Sequence, residues 1–329
     1  MSPERIASQE IMIGPYGASS LKAASAFHSA GANAAWFHGF DDASFAACDR
    51  FDLAACVEFP TFRADFSRRP ELVPIGVDGQ PIRYGDLVQG VCLSNQDFLA
   101  EIEANLRNGI RQFKPKGIWF DYLTYAGWFE TPQPDLQDNC FCRSCIADFC
   151  QTTGIDADTP LQIIAEHGDS WHHYKRHKIA GYARHYASLV HEIHPGCIIG
   201  IYMCPWQPSE FDGALGRIFG QDYHLLADSV DVFTPLIYVY KSGREPSWGK
   251  AYLEASDRFV PPGKKVQLIL DYLDFPGSLE KTARSGVASW GFQMYGGGAI
   301  FDYGEQIDIF RRSAEQIRLM WQDRAILQE

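Results

Sequence analysis

The chain carries little that would draw it to nucleic acid or into a membrane. Its 29 basic residues face 41 acidic ones, for a formal net charge of −12, and no basic run supplies a local phosphate-binding patch. It has no apolar run long enough to span a bilayer. A Gly-x-Gly-x-x-Gly fingerprint is missing after the first strand pattern, where Gly14-Pro15-Tyr16-Gly17 stands instead, and there is neither a Gly-x-Ser-x-Gly elbow nor a P-loop. These gaps argue against an open dinucleotide-binding sheet, a serine-elbow hydrolase and a P-loop enzyme. With no internal repeat, low-complexity tract or Gly/Ser linker to mark a boundary, residues 1–329 read as one domain. The first ten residues lack the basic-then-apolar pattern of a secretory leader, so the expected location is the cytoplasm.

What the chain does have is alternation. Short β-rich apolar runs recur at 11–16, 34–40, 53–59, 117–122, 197–203, 232–239, 266–272 and 298–303. Helical patterns follow them at 19–30, 42–49, 95–113, 146–194 (in at least two pieces), 221–227, 248–259, 279–290 and 305–328. Strands that alternate with helices predict parallel pairing through helical crossovers, and eight such units predict a (β/α)₈ TIM barrel. The third helix shows the quality of the signal: Phe98, Ile102, Leu106 and Ile110 recur at i+4, Ser94-x-x-Asp97 resembles a capping box, and Pro115 with Gly117 stops it. Long connections at 60–94, 123–139 and 204–220 follow the third, fourth and fifth strands. In a barrel the loops after the strands build the active face, so the site is expected beneath these three.

Four acids fall at strand ends: Glu58, Asp121, Asp271 and Asp302, the last three each within apolar-apolar-Asp-Tyr. Such acids also bond to neighbouring strands or cap helices. Gathered at one rim, though, carboxylates flanked by apolar bulk are partly desolvated and push one another's pKa values apart, which is the chemistry of glycoside hydrolysis. Aromatic and imidazole groups near the same ends, Trp36, His38, Tyr122, Trp128, Trp206, Tyr238 and Tyr303, are the expected substrate-binding residues. Flat rings with a polar handle suit the faces of a sugar.

Nine cysteines are an odd number for a disulfide framework, and Cys140-x-Cys142-x-x-Cys145 packs three thiols into six positions. The spacing points to a metal, and a tetrahedral structural zinc needs a fourth ligand. Cys92 is the best donor and Cys150 the runner-up; four thiolates leave no open position, so the metal is expected to be structural. Among seven histidines between 167 and 194, His173 and His177 stand at the i, i+4 spacing of helical metal sites. No His-Glu-x-x-His accompanies them, and a solvated helix face is the better account. Gly296-Gly297-Gly298 reads as a tight turn ahead of the eighth strand.

Cys92 in Val-Cys-Leu-Ser-Asn-Gln-Asp-Phe, a Trp-containing fourth strand, and Cys140-Phe-Cys-Arg-Ser-Cys-Ile-Ala-Asp-Phe149 together resemble the zinc-knot region of family 42 β-galactosidases and related barrel glycosidases. The resemblance implies a structural zinc on Cys92, Cys140, Cys142 and Cys145. That family carries an Asn-Glu pair at the end of strand four, where this chain has Phe120-Asp121-Tyr122, and a Glu where strand seven here ends in Asp271. The run Ile118-Trp119-Phe120-Asp121 is also similar to the nucleophile strand of α-L-fucosidases.

The expectation is a glycoside hydrolase with Asp121 as nucleophile or general acid and Asp271 as second carboxylate, Glu58 and Asp302 standing behind them. Its partner is a carbohydrate, neither nucleic acid nor membrane, and a homo-oligomer is compatible with the sequence. A non-catalytic carbohydrate-binding barrel, or a barrel hydrolase or lyase of another substrate class, stays open, because the fold alone does not fix the chemistry.

Overall fold

A computed structural model of the chain describes residues 11–17, 21–82, 90–130, 134–271, 290–295 and 305–327. The strands are β1 (Met12–Tyr16), β2 (Ala34–His38), β3 (Ala54–Pro60), β4 (Gly117–Asp121), β5 (Ile198–Met203), β6 (Val232–Ile237), β7 (Lys265–Val266), β8 (Leu268–Asp271) and β9 (Gly291–Tyr295). All pair in parallel in the order β5-β4-β3-β2-β1-β9-β8-β6, and β5 also pairs with β6, which closes the sheet. β7 and β8 are one stave interrupted at Gln267, so the closed barrel has eight staves. This is the (β/α)₈ architecture the alternation predicts. The principal helices are α1 (Ala24–Ser29), α2 (Asp42–Arg50), α3 (Gln96–Phe113), α4 (Arg143–Thr153), α5 (Pro160–Ile193), α6 (Ala214–Arg217), α7 (Tyr223–Leu226), α8 (Trp248–Ser256) and α9 (Glu305–Leu327).

Alternate side chains of a strand point to opposite faces, and the inward set stacks in layers. Trp36 and Trp119 meet edge to face in the lower layer, with ring centroids 5.4 Å apart. The Trp119 indole donates to Thr234 Oγ1 at 2.8 Å. Two such rings fit only because their neighbours are small: a Cβ on Gly200 would lie 2.3 Å from the Trp119 ring, and one on Gly14 1.8 Å from the Ala34 carbonyl oxygen. A buried polar chain runs past them, from Tyr202 one layer above, through Gln293 at their level, to Gln267 and Met12 below. Tyr202 donates to Gln293 Oε1 at 2.7 Å, Gln293 to Gln267 Oε1 at 2.9 Å, and Gln267 to the Met12 carbonyl at 2.9 Å. Every buried polar group in that chain is partnered, as burial requires.

Several boundaries differ from the sequence expectation. α3 buries Phe98, Ile102, Leu106 and Ile110 as its i+4 pattern predicts, but its N-cap is Asn95, whose side chain accepts from Phe98 N, and not Ser94. It ends at Lys114 in the left-handed region (φ 47°). The predicted helix at 221–227 is a single turn, α7. The eighth stave is β9, ahead of the predicted run at 298–303, which lies outside the described residues together with all but the last residue of the predicted helix at 279–290. The misplacement has a local cause. Gly291, which reads as a turn, opens β9 at φ +76° with its backbone against β1, where a Cβ would lie 1.8 Å from the Met12 carbonyl oxygen. The Gly296-Gly297-Gly298 triplet, read as a tight turn, lies outside the described residues.

Candidate active site

The next inward layer above the tryptophans ends at the C-terminal mouth of the barrel. Two residues beyond Gly14, Trp36, Trp119, Gly200 and Gln293 stand Tyr16, His38, Asp121, Tyr202 and Tyr295, and all five line a cavity of about 280 Å³. Glu58 joins them from β3, where it is paired in register with His38. The loop after β4 contributes Tyr122, Trp128, Phe129 and Glu130; Tyr238 follows β6, and Arg63 follows β3.

Glu58 is the anchor of the floor, with its side chain 3% exposed. One carboxylate oxygen, Oε2, accepts from both the Tyr16 hydroxyl and His38 Nδ1, the latter at 2.9 Å. That contact raises the His38 pKa, because an adjacent carboxylate favours the imidazolium. Burial, then the Glu58 charge, pushes the Tyr16 hydroxyl far up, which keeps it a donor. Asp121, at the end of β4, faces Glu58 closely enough to interact through its carboxyl. Burial first, and the Glu58 charge second, raise its pKa well above the usual carboxylate range. Two carboxyls held together in low dielectric resist ionising together, which favours a proton on Asp121.

The residue after Asp121 is strained. Tyr122 has φ 53°, in the left-handed region, a conformation that a bulky side chain rarely adopts. The turn lets the Tyr122 amide donate to Asp121 Oδ1 at 2.9 Å and lays the Tyr122 ring 5.4 Å beneath the Arg63 guanidinium. Four tyrosine rings complete the wall: Tyr16 packs on Tyr202 and Tyr295 at 6.2 and 5.4 Å, and Tyr295 on Tyr238 at 5.1 Å.

Of the acids predicted at the rim, the structure joins Glu58 and Asp121. Asp271 closes β8, in register with Tyr295, but its side chain lies outside what is described. Asp302 and Tyr303 lie outside the described residues altogether. His38, Tyr122, Trp128 and Tyr238 line the cavity, whereas Trp36 and Trp206 do not. Trp36 sits one layer below His38 in the core, and Trp206 is buried behind the cavity wall against Phe211 and Phe219. Tyr16, Arg63, Glu130, Tyr202 and Tyr295 were missed. The strand-end rule that selected Asp121 would have found Tyr16 and Tyr202; Arg63 and Glu130 stand in irregular loops that carry no period.

A second cluster joins the segment ahead of α3 to the start of α4. The sulfurs of Cys92, Cys140, Cys142 and Cys145 all lie within 4.8 Å of one another, with Cys92 Sγ 3.5 Å from Cys142 Sγ and 3.7 Å from Cys145 Sγ. It is the one group suited to a metal ion among the described residues. Cys142 caps α4, Cys145 lies in its first turn, and Cys92 leads into α3. Cys150 is not part of the cluster: its thiol donates to the Ala157 carbonyl. His173 and His177 pack against each other with their rings tilted, centroids 4.2 Å apart. Just before Cys140, Asp138 accepts from His172 Nε2 at 2.6 Å, Lys175 Nζ at 2.8 Å and Trp171 Nε1 at 3.2 Å, which ties the loop to α5.

No protein-family model matches this chain, nor does any curated protein. Solved structures do. The PgaB (BpsB) glycoside hydrolase domain from Bordetella bronchiseptica superposes with a TM-score of 0.67 at 12% identity, covering 94% of this chain and 98% of that one. A β-galactosidase from Halorubrum lacusprofundi gives 0.64 at 12% identity over 93% of this chain and 58% of that one. A family 42 β-galactosidase from G. stearothermophilus, solved as a catalytic mutant, gives 0.66 at 12% identity over 94% and 56%. The chain thus spans somewhat more than half the length of these two β-galactosidases. At such identity the shared property is the barrel fold. No helix among the described residues is long and apolar enough to cross a membrane.

Proposed function

We propose that the chain is a glycoside hydrolase working at the mouth of its barrel, with Asp121 as general acid. The observation that carries this reading is the pairing of Asp121 with Glu58 on the cavity floor, where burial and the Glu58 charge raise the Asp121 pKa and so favour its protonated form. A proton held on a half-buried acid is what departure of a sugar's leaving group requires. The barrel fold shared with glycoside hydrolases and the tyrosine-lined walls support the same reading.

Glu58 is not the carboxylate that flanks the bond from the other side. Retaining and inverting enzymes separate their two carboxyls by about 5 Å or by roughly 6.5–9.5 Å, and a pair in contact leaves no room for a sugar between. Glu58, fixed by Tyr16 and His38, instead holds the proton on Asp121. The second carboxylate is Asp271, three staves away in the barrel, with Asp302 as its alternate.

The cysteine cluster belongs to the same reading as a structural zinc site. Zinc–sulfur bonds of about 2.3 Å put tetrahedral sulfurs about 3.8 Å apart, and the Cys92 contacts of 3.5 and 3.7 Å fit that. Four thiolates would fill the coordination sphere, so the ion braces the loop carrying Tyr122, Trp128 and Phe129. The natural partner is a carbohydrate.

A panel of aryl glycosides in both anomeric series tests the proposal. We expect turnover of at least one member and a loss of at least about 100-fold in Asp121→Asn, the lower range for a general acid. Sugar-dependent melting shifts without cleavage anywhere in the panel would instead identify a carbohydrate-binding barrel.

A further inference from the structure

The cavity contains more than an acid and aromatic walls; it has an uncompensated positive side. Five charged residues line it: Glu58, Asp121, Glu130, His38 and Arg63. Glu58 is committed to Tyr16 and His38. Burial and the Glu58 charge raise the Asp121 pKa, with the Arg63 charge acting against them, and Glu130 is engaged in interactions of its own. Arg63 is different. Among the described residues its guanidinium has no carboxylate within ion-pairing range and no hydrogen bond; it lies over the Tyr122 ring at 5.4 Å, and its charge is felt at Asp121 and His38.

The Tyr122 contact sets the guanidinium of an otherwise exposed side chain over an aromatic face. Arg63 lies over an aromatic face whose own backbone is strained at φ 53°, directly after Asp121. A guanidinium stacked this way keeps its planar N–H fork available while losing little entropy on engaging a ligand. His38 stands on the same side of the cavity. Its Nδ1 is taken by Glu58, its side chain is 56% exposed, and Nε2 is the ring nitrogen left, a donor in the imidazolium form that the Glu58 contact favours. The two groups are near enough for each to feel the other's charge, a repulsion that favours an anion between them.

We propose that Arg63 and His38 Nε2 form a subsite for a sugar carboxylate, so that the enzyme prefers uronic acid glycosides to neutral hexosides. The inference rests on the glycoside hydrolase reading for the fate of the sugar, and on the charge layout of the cavity for its identity. A single pyranose carboxylate is planar, carries one charge and matches one guanidinium fork. The tyrosine walls formed by Tyr16, Tyr202 and Tyr295 take the ring of the same sugar. Arg63 is thereby a specificity-determining residue, and Asp121 remains the acid.

Two measurements on the intact chain test this and separate it from the reading beneath it. The first compares kcat/KM for paired nitrophenyl uronides and neutral hexosides in wild type, Arg63→Gln and Arg63→Lys. We expect a uronide preference in wild type that falls at least about tenfold in Arg63→Gln, mostly through KM, the scale carried by a hydrogen bond to a charged group. Lysine should restore part of it, because it keeps the charge and loses the fork. The second measures melting shifts of wild type and Arg63→Gln with free glucuronate, galacturonate, glucose and galactose at low salt.

A uronate shift that disappears in Arg63→Gln, with no glycoside cleaved, supports the subsite and sinks the hydrolase reading. Cleavage of neutral hexosides with an unchanged ratio in Arg63→Gln sinks the subsite and leaves the hydrolase reading standing. A sulfated or phosphorylated sugar preferred over both uronates overturns the carboxylate assignment, and so does the absence of any uronate shift or uronide turnover.

Discussion

Asp121 and Glu58 show what a single pair of carboxyls does when neighbouring staves bring them together. Because burial and the Glu58 charge raise the Asp121 pKa, the folded state holds a proton there that the unfolded chain has already lost. The folded form then binds more protons than the unfolded one between the ordinary aspartate value and the raised one, and stability falls as pH climbs through that window. Its contribution is complete below the unfolded value and gone above the folded one. Asparagine cannot titrate, so urea unfolding of Asp121→Asn at several pH values should show a flatter stability curve than wild type. Parallel curves would mean that the proton is not there. At this scale the sequence was legible where the strand-end rule applied, as for Asp121, Glu58 and His38. It misled where period two was overlooked. Trp36 lies two residues before His38 on the same inward face, and two residues down a strand is about 6.6 Å deeper in the barrel, so Trp36 packs on Trp119 and never reaches the cavity.

At the scale of elements, the stretch from β4 through its loop into α4 carries the site and its brace together. Removing a bound metal should lower the melting temperature and loosen the loop that carries Trp128 and Phe129, while leaving the barrel staves folded. Chelation or Cys145→Ser, followed by hydrogen exchange, should show protection lost around 123–145 and retained in β1 to β6; an unchanged exchange map would remove the metal from the account. The Asp138 lock is a separate device. Lys175 is fully buried and its ammonium serves Asp138, the Arg217 carbonyl and the face of Tyr125. The Lys175 charge and the His172 contact hold the Asp138 pKa well below the ordinary carboxylate range against the opposing effect of burial. Removing one partner of a buried ion pair typically costs about 3–5 kcal/mol, because the other charge is left stranded. Lys175→Met should destabilise by that order in chemical denaturation, and a loss below about 1 kcal/mol would mean that water reaches Asp138 freely. Elements with a strong period were legible: α3 was placed by its i+4 apolar set. β9 was not, since it opens on Gly291 and its interior position is filled by Gln293, so that neither β propensity nor apolar alternation marks it.

For the molecule as a whole, eight alternating units were enough to predict a closed parallel barrel, because helical crossovers between parallel strands leave few other arrangements. The barrel in turn gathers residues from 16 to 295 around one mouth. What one-dimensional reading could not supply was proximity. Glu58 and Asp121 are 63 positions apart in the chain, and only the pairing of Pro60 with Asp121 in register makes them neighbours. In the proposed reading that pairing makes Glu58, a reserve choice for the second carboxylate, the support for the acid, and Asp271 stays the proposed second carboxylate. The most direct test of this central claim is the dependence of kcat/KM on the leaving group in wild type and Asp121→Asn. A general acid matters most when the departing oxygen is basic. We predict a loss of at least about 100-fold on alkyl or unactivated aryl glycosides and a much smaller loss on dinitrophenyl glycosides, whose leaving group needs no proton. Equal loss on both classes, or loss on neither, would contradict the assignment of Asp121 as the acid.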